Sequence, residues 1–386
     1  MNTTNKILLQ SFLGSLLVFT GSAYAGWTYT SLNPEGIDKS YAYSVDSIGE
    51  VGGYLYDGAN VLPVYWSTPS ASGYVDLSNN QQNQGNVKAI IPGRQAGVVQ
   101  ILNNFFGVYW SGSSDSMVTP STGGYTSSSI SSLSANWAGG YVSDGDELKG
   151  RHATIWNLSN NTMIDLNPSE YFSIVNAIAG ANGGNPGVQA GSVRGITDAH
   201  VNAALWHGTA ASYTSLAPAN SFSTNVFALS PDGAYQGGYE LIQTPNPLVQ
   251  VSHAALWHGT ADSFVDMHPT NFAGIVSSII EGMIDGLQVG FVNGVDKQDQ
   301  NFNYAFLWSG SADQYFNLQS VLPSNYTSSQ AWGIARNGST VYVAGFAIND
   351  AGNEEAILWT FVPEPGSLVL FLTGLGFIAS RQRRVG

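Results

Sequence analysis

"AALWHGTA" occurs twice, at residues 203–210 and again at 254–261. Identical octapeptides 51 residues apart signal an internal repeat, and a repeat must be sought before local structure is read. Tryptophan extends the pattern. In PVYW, GVYW, ATIW, AALW, AALW, AFLW and AILW it falls at Trp66, Trp110, Trp156, Trp206, Trp257, Trp308 and Trp359. The intervals are 44, 46, 50, 51, 51 and 51 residues.

Two weaker signals keep the same period. About ten residues after the Trp stands an apolar residue, as in Leu77, Leu166, Leu216, Met267 and Leu318, with a large side chain three positions earlier. Before the Trp comes a stretch ending in a small or Gly-rich pair: VGGY at 51–54, AGGY at 138–141, QAGS at 189–192, QGGY at 236–239, QVGF at 288–291 and VAGF at 343–346. AGVVQ at 96–100 is degenerate but in register. Each unit therefore holds about four short apolar strands separated by Gly, Asn, Asp and Ser turns. Four strands per 40–50 residues is the pattern of a propeller blade. A blade packs on both faces, so AALW can be apolar throughout. The small pairs are expected to let sheets approach closely near the axis.

The repeat has informative ends. WTYTSLNPEG begins at Trp27, and its Tyr29 and Leu32 fit the strand that follows each Trp. AILWTF at 356–361 has no such strand after it. The first strand is thus expected to complete the last blade and seal the ring with ladder hydrogen bonds. The expected fold is all-β: a seven-bladed β-propeller over residues 26–361, with an N-terminal signal helix and a short C-terminal hydrophobic helix. An open β-solenoid or a sandwich array is the alternative, and a solenoid would need capping repeats.

Composition agrees with short strands and tight turns. Charged residues make up 10%, against about 25% in ordinary soluble domains, and there are 45 Gly. The absence of Cys excludes disulfides, thiolate nucleophiles and Cys-based zinc or iron–sulfur sites. The formal charge is −14. Setting aside four basic residues at the ends (Lys6, Arg381, Arg383, Arg384) and Glu364 leaves 8 basic against 25 acidic residues, a net of −17. Such a body repels nucleic acid and anionic lipid, so nucleic acid is not an expected partner.

Residues 1–25 read as a signal peptide: Lys6, then an apolar run from Ile7 to Phe19, then the small-x-small pair Ala23 and Ala25, with Gly26 the first mature residue. Residues 362–386 hold Pro363-Glu364-Pro365, an apolar run from Leu368 to Ala379, and the cluster Arg381, Arg383 and Arg384. The run is short of the roughly 20 residues of a membrane span, which suits a transient hold on the membrane.

This tail resembles the PEP-CTERM sorting signal of Gram-negative, exopolysaccharide-producing bacteria. The resemblance implies an exosortase-type processing enzyme as partner, cleavage near Pro363–Pro365, transient anchoring in the inner membrane, and release to the cell envelope, surface or extracellular matrix. The repeats also resemble the HAF family of extracellular repeats, best in AFLWSGSADQYFNL at 305–318 and AGFAINDAGNEEAILW at 344–359.

Candidate chemistry is sparse. His207 and His258 occupy one repeat position in adjacent units, and His152, His200, His253 and His268 are scattered nearby. Equivalent positions in neighbouring blades lie too far apart for one metal, so these read as polar turn residues. Oxygen-rich turns that could hold calcium contain Asp144, Asp146 and Glu147, then Asp350, Glu354 and Glu355, then Asp296 and Asp299; none has the twelve-residue loop with a terminal Glu. Asp76, Asp165 and Asp266 recur before the apolar residue, and recurrence argues for a structural role, since a catalytic pair breaks symmetry. Trp137 and Trp332 precede Gly pairs and are expected to pack. No cofactor, catalytic residue or hydrolase motif is identified. The expected function is a secreted binding or structural module associated with exopolysaccharide or surface proteins; the alternative is a polysaccharide-active hydrolase or lyase.

Overall fold

The computed structural model describes residues 26–79, 82–145, 150–168, 171–195, 200–244 and 249–363. Both predicted helices lie outside them, as do Ala23, Ala25, Asp146, Glu147, Glu364, Pro365, Arg381, Arg383 and Arg384. No helix among the described residues is long and apolar enough to cross a membrane.

The described chain is all-β, with a few short 3-10 turns. Its strands form antiparallel meanders in chain order, four of them separate four-stranded sheets. The others join into one longer sheet through two isolated parallel pairs, Lys39 with Glu354 and Val61 with Gln84. The innermost strands are Lys39–Val45, Gln82–Ile91, Ser127–Ser134, Tyr171–Ala179, Ser223–Leu229, Ile275–Ile284 and Tyr326–Asn337. Each touches the next, and the last touches the first. Trp27–Ser31 pairs antiparallel with Glu354–Phe361, Tyr29 opposite Trp359, so the first strand completes the last meander.

The repeated Trp residues ended in the core because each closes an apolar strand buried on both faces. All seven are 0–1% exposed. Leu77, Leu166, Leu216, Met267 and Leu318 are fully buried beside them.

Neighbouring meanders are tied by a hydrogen bond that repeats with the fold. A buried hydroxyl on an inner strand accepts the backbone N–H of the preceding meander's Trp-bearing strand, three residues before the Trp. The pairs are Ser128 with Gly107, Ser173 with Ala153, Thr224 with Ala203, Ser278 with Ala254, Ser329 with Ala305 and, between the last meander and the first, Ser40 with Ala356. The distances are 2.8–3.1 Å. At the remaining junction the hydroxyl position is Gly85 and the donor position is Pro63, which has no N–H. Hydroxyl and donor are lost together, so nothing buried is left unpaired. Thr224→Val keeps the volume and deletes the acceptor. It is expected to cost about 1–3 kcal/mol, while Thr224→Ser stays near wild type, as read by urea unfolding.

Candidate functional site

The Gly-rich pairs do two jobs. The first residue faces the next sheet: a Cβ on Gly52 would lie 2.6 Å from Val87 Cγ1, and one on Gly139 2.6 Å from Val175 Cγ1. This is the close sheet approach expected from the sequence. The second residue, Gly in all seven repeats, faces its own inner strand. A Cβ there would fall 1.8–2.0 Å from a backbone carbonyl, from Tyr41 O against Gly53 to Gln330 O against Gly345. None of these glycines has a positive φ; the missing Cβ alone is what the site requires.

That carbonyl is pushed forward because each inner strand carries a β-bulge beside the glycine. One residue is skipped in the ladder: Tyr43, Lys88, Ser131, Asn176, Phe227, Glu281 and Trp332 in turn. A bulge re-aims its side chain, and all seven line one axial cavity of about 470 Å³. That volume falls in the ~300–1,000 Å³ range of small-ligand sites.

The ring is uneven. Phe227, Glu281, Trp332 and Tyr43 follow one another on one arc, and Lys88, Ser131 and Asn176 occupy the other. Trp332 meets Tyr43 edge-on at 5.3 Å. Asn176 Nδ2 donates to Asn225 Oδ1 and Val226 O, and Lys88 Nζ donates to Ser129 Oγ at 3.2 Å. Burial pushes the Glu281 carboxyl up to about 8 and the Tyr43 phenol up to about 12. Burial, and then the nearby Arg151, push Lys88 down. Among the described residues lining the cavity, Glu281 is the sole carboxylate.

The raised Glu281 value has a measurable sign. Between the unfolded value near 4.5 and the folded value near 8, the folded chain holds a proton that the unfolded chain has lost. Stability therefore falls as pH rises through that window. Glu281→Gln is expected to match wild type at pH 4.5 and to melt higher than wild type at pH 8 in thermal scans.

The other candidate residues sit elsewhere. Asp76, Asp165 and Asp266 each accept a backbone N–H two residues on. His152 pairs with Asp165 at 2.8 Å and His253 with Asp266 at 2.9 Å. The His268 ring stacks on His253 at 3.9 Å, and burial holds it down at about 4. His207 and His258 are exposed in turns. Glu354 pairs with Lys39, Glu355 accepts from Ser31, Tyr326 and Asn349, and Asp144 and Asp350 are exposed. Among the described residues no three His, Asp or Glu gather as a metal site.

Trp137 packs as expected, 3% exposed, its Nε1 donating to Gly183 O. Trp332 packs edge-on against Tyr43, and the bulge also turns it into the cavity. Sequence reading missed the whole ring. A five-residue signal marks six of its seven members, all but Lys88: a hydroxyl, any residue, an aliphatic, the lining residue, then Gly, Ala or Ser, as in Thr224-Asn-Val-Phe-Ala228 and Ser278-Ile-Ile-Glu-Gly282.

No protein-family profile and no curated protein matches this sequence. Solved structures do. An acylaminoacyl peptidase of Pyrococcus horikoshii is 10% identical, with 86% of this chain and 53% of that one covered and a TM-score of 0.50. A prolyl endopeptidase is 11% identical over 86% and 51%, with a TM-score of 0.49. TolB from Acinetobacter baumannii is 11% identical over 86% and 79%, with a TM-score of 0.39. This chain spans about half the length of the two peptidases. At such identity the likeness is one of fold alone, and the peptidase at a TM-score of 0.50 makes that fold β-propeller-like.

Proposed function

We propose that this chain is an exported, closed seven-bladed β-propeller that binds polysaccharide at the cell surface or in the extracellular matrix. The circle of inner-strand contacts and the pairing of Trp27–Ser31 with Glu354–Phe361 support the ring. The signal-like start and the PEP-CTERM-like tail support export, sorting by an exosortase-type enzyme, and a transient membrane hold.

The observation that carries binding is the uneven ring. Trp, Gly and the tying hydroxyls recur wherever packing demands them, yet the seven cavity-facing residues are all different. An aromatic arc opposite a polar one suits a sugar, which offers an apolar face and hydroxyl edges. Glu281 also gives the hydrolase reading a specific basis, since a raised carboxyl suits a general acid. Glycosidases set a second carboxylate about 5–9.5 Å away, and the cavity's described lining holds no second one. Binding is the better reading.

A glycan array and a reducing-sugar assay on the host's exopolysaccharide test it. Binding without new reducing ends is expected, and Trp332→Ala should weaken it about tenfold or more. New reducing ends would move the function to the hydrolase reading, and neither binding nor turnover would leave a structural matrix component. Mass spectrometry of the released protein is expected to find no Arg381–Gly386 end.

A further inference from the structure

The cations of this acidic chain are unevenly placed. Lys39 pairs with Glu354 and Arg336 with Asp285. Lys88, Arg94, Arg151, Arg194 and Lys297 enter no ion pair among the described residues, and of these Lys88, Arg151 and Arg194 share cavities. These three form a line. Lys88 lines both the axial cavity and a second cavity of about 270 Å³ between the second and third meanders. Arg151 lines that second cavity and a third of about 250 Å³, and Arg194 lines the third.

Each arginine is fixed from beneath by an aromatic ring. The Arg151 guanidinium lies 4.9 Å from the Tyr141 centroid, and that of Arg194 lies 4.5 Å from Phe172. A stacked guanidinium keeps its N–H edge free for a carboxylate. The lining mixes polar and apolar groups: Ser127, Ser129, Ser143 and Asn104 beside Val98 and Phe105 in the second cavity, Ser173 and Ser192 beside Ile174 and Val201 in the third. Arg151 shares a cavity with Lys88 and repels its charge, a repulsion that a bound anion would relieve.

We propose that Lys88, Arg151 and Arg194 form a track for the carboxylates of a uronic-acid oligosaccharide, leading from the rim into the axial cavity. This rests on the sugar-binding reading above and names the sugar's charge. The stacked arginine edges can take a planar carboxylate, and the serine hydroxyls of both cavities suit the hydroxyls of a sugar that carries it. A nucleic acid carries a charge on every nucleotide, and three cations would leave most of it facing an acidic body.

The test titrates the full chain by calorimetry with hexamers of galacturonic, glucuronic and mannuronic acid, their methyl esters, and a DNA hexanucleotide. At least one acid hexamer is expected to bind at least tenfold more tightly than its uncharged ester, with affinity falling as salt rises. Arg151→Gln with Arg194→Gln should remove that difference, and Arg151→Lys with Arg194→Lys should keep part of it; circular dichroism checks that both variants are folded. Equal binding of acid and ester, no loss in the Gln variant, or equally tight binding of the DNA would overturn the track. If acid and ester bind equally and Trp332→Ala weakens both, the axial sugar site stands without the track. If no hexamer binds, the track fails, and the glycan array decides the sugar site separately.

Discussion

Removing residues 26–32 is expected to cost on the order of 5–10 kcal/mol, enough to unfold a domain with the usual 5–15 kcal/mol of stability. The segment is a small part of the chain, but it forms the seam. Leu32 is fully buried and Trp27 is 8% exposed. Leu32 N donates to Ala356 O at 2.8 Å, and Leu32 O accepts Trp66 Nε1 at 2.9 Å, so one residue ties the last meander to the first. Trp27 stacks on Phe316 at 5.7 Å and lies 5.4 Å from Phe361. Deletion would bare the edge of Glu354–Phe361 and a band of apolar surface. Circular dichroism melts and size-exclusion chromatography would report it as loss of the cooperative transition or as aggregation. A truncated chain that melts within a few degrees of the full one would mean that the ring does not need its seam.

Gly238→Ala should cost at least about 3 kcal/mol although it adds a single methyl group. The new Cβ would lie 1.9 Å from Asn225 O, a backbone atom that cannot move without changing the bulge. Straightening the bulge shifts the strand by one residue, which turns every later side chain to the opposite face. Phe227 would then leave the cavity, so ligand binding should fall with stability. Gly184→Ala is the control, since nothing lies within 4 Å of its Cβ position and its φ is not positive. It is expected to unfold at the urea concentration of wild type. Equal midpoints for the two variants would refute the steric account of the repeated glycine.

The aromatic period was legible because it measures one sheet. Each Trp closes the same strand, and sheets of nearly equal size return it every 44–51 residues. The completing role of Trp27–Ser31 was legible for a related reason, since Tyr29 and Leu32 fit the strand that follows each Trp in the repeat. The Gly pairs were visible, but half their purpose was not. The glycine answers to a carbonyl across a hairpin whose length varies: Gly97 lies nine residues beyond Lys88, while Gly191 lies fifteen beyond Asn176. Without a constant interval, the two cannot be matched by eye along the chain.

The sequence alone therefore determined the kind of strand, the period of the repeat and the pairing of Trp27–Ser31 with the last strand, because each follows from burial repeating at a near-constant interval. Only the tertiary structure decided which residues meet at the axis. Tyr43, Lys88, Ser131, Asn176, Phe227, Glu281 and Trp332 are seven different residues, and they converge because seven bulges turn them inward together. Packing imposes one residue type at a repeated position, whereas a cavity only requires that the backbone aim the side chain there.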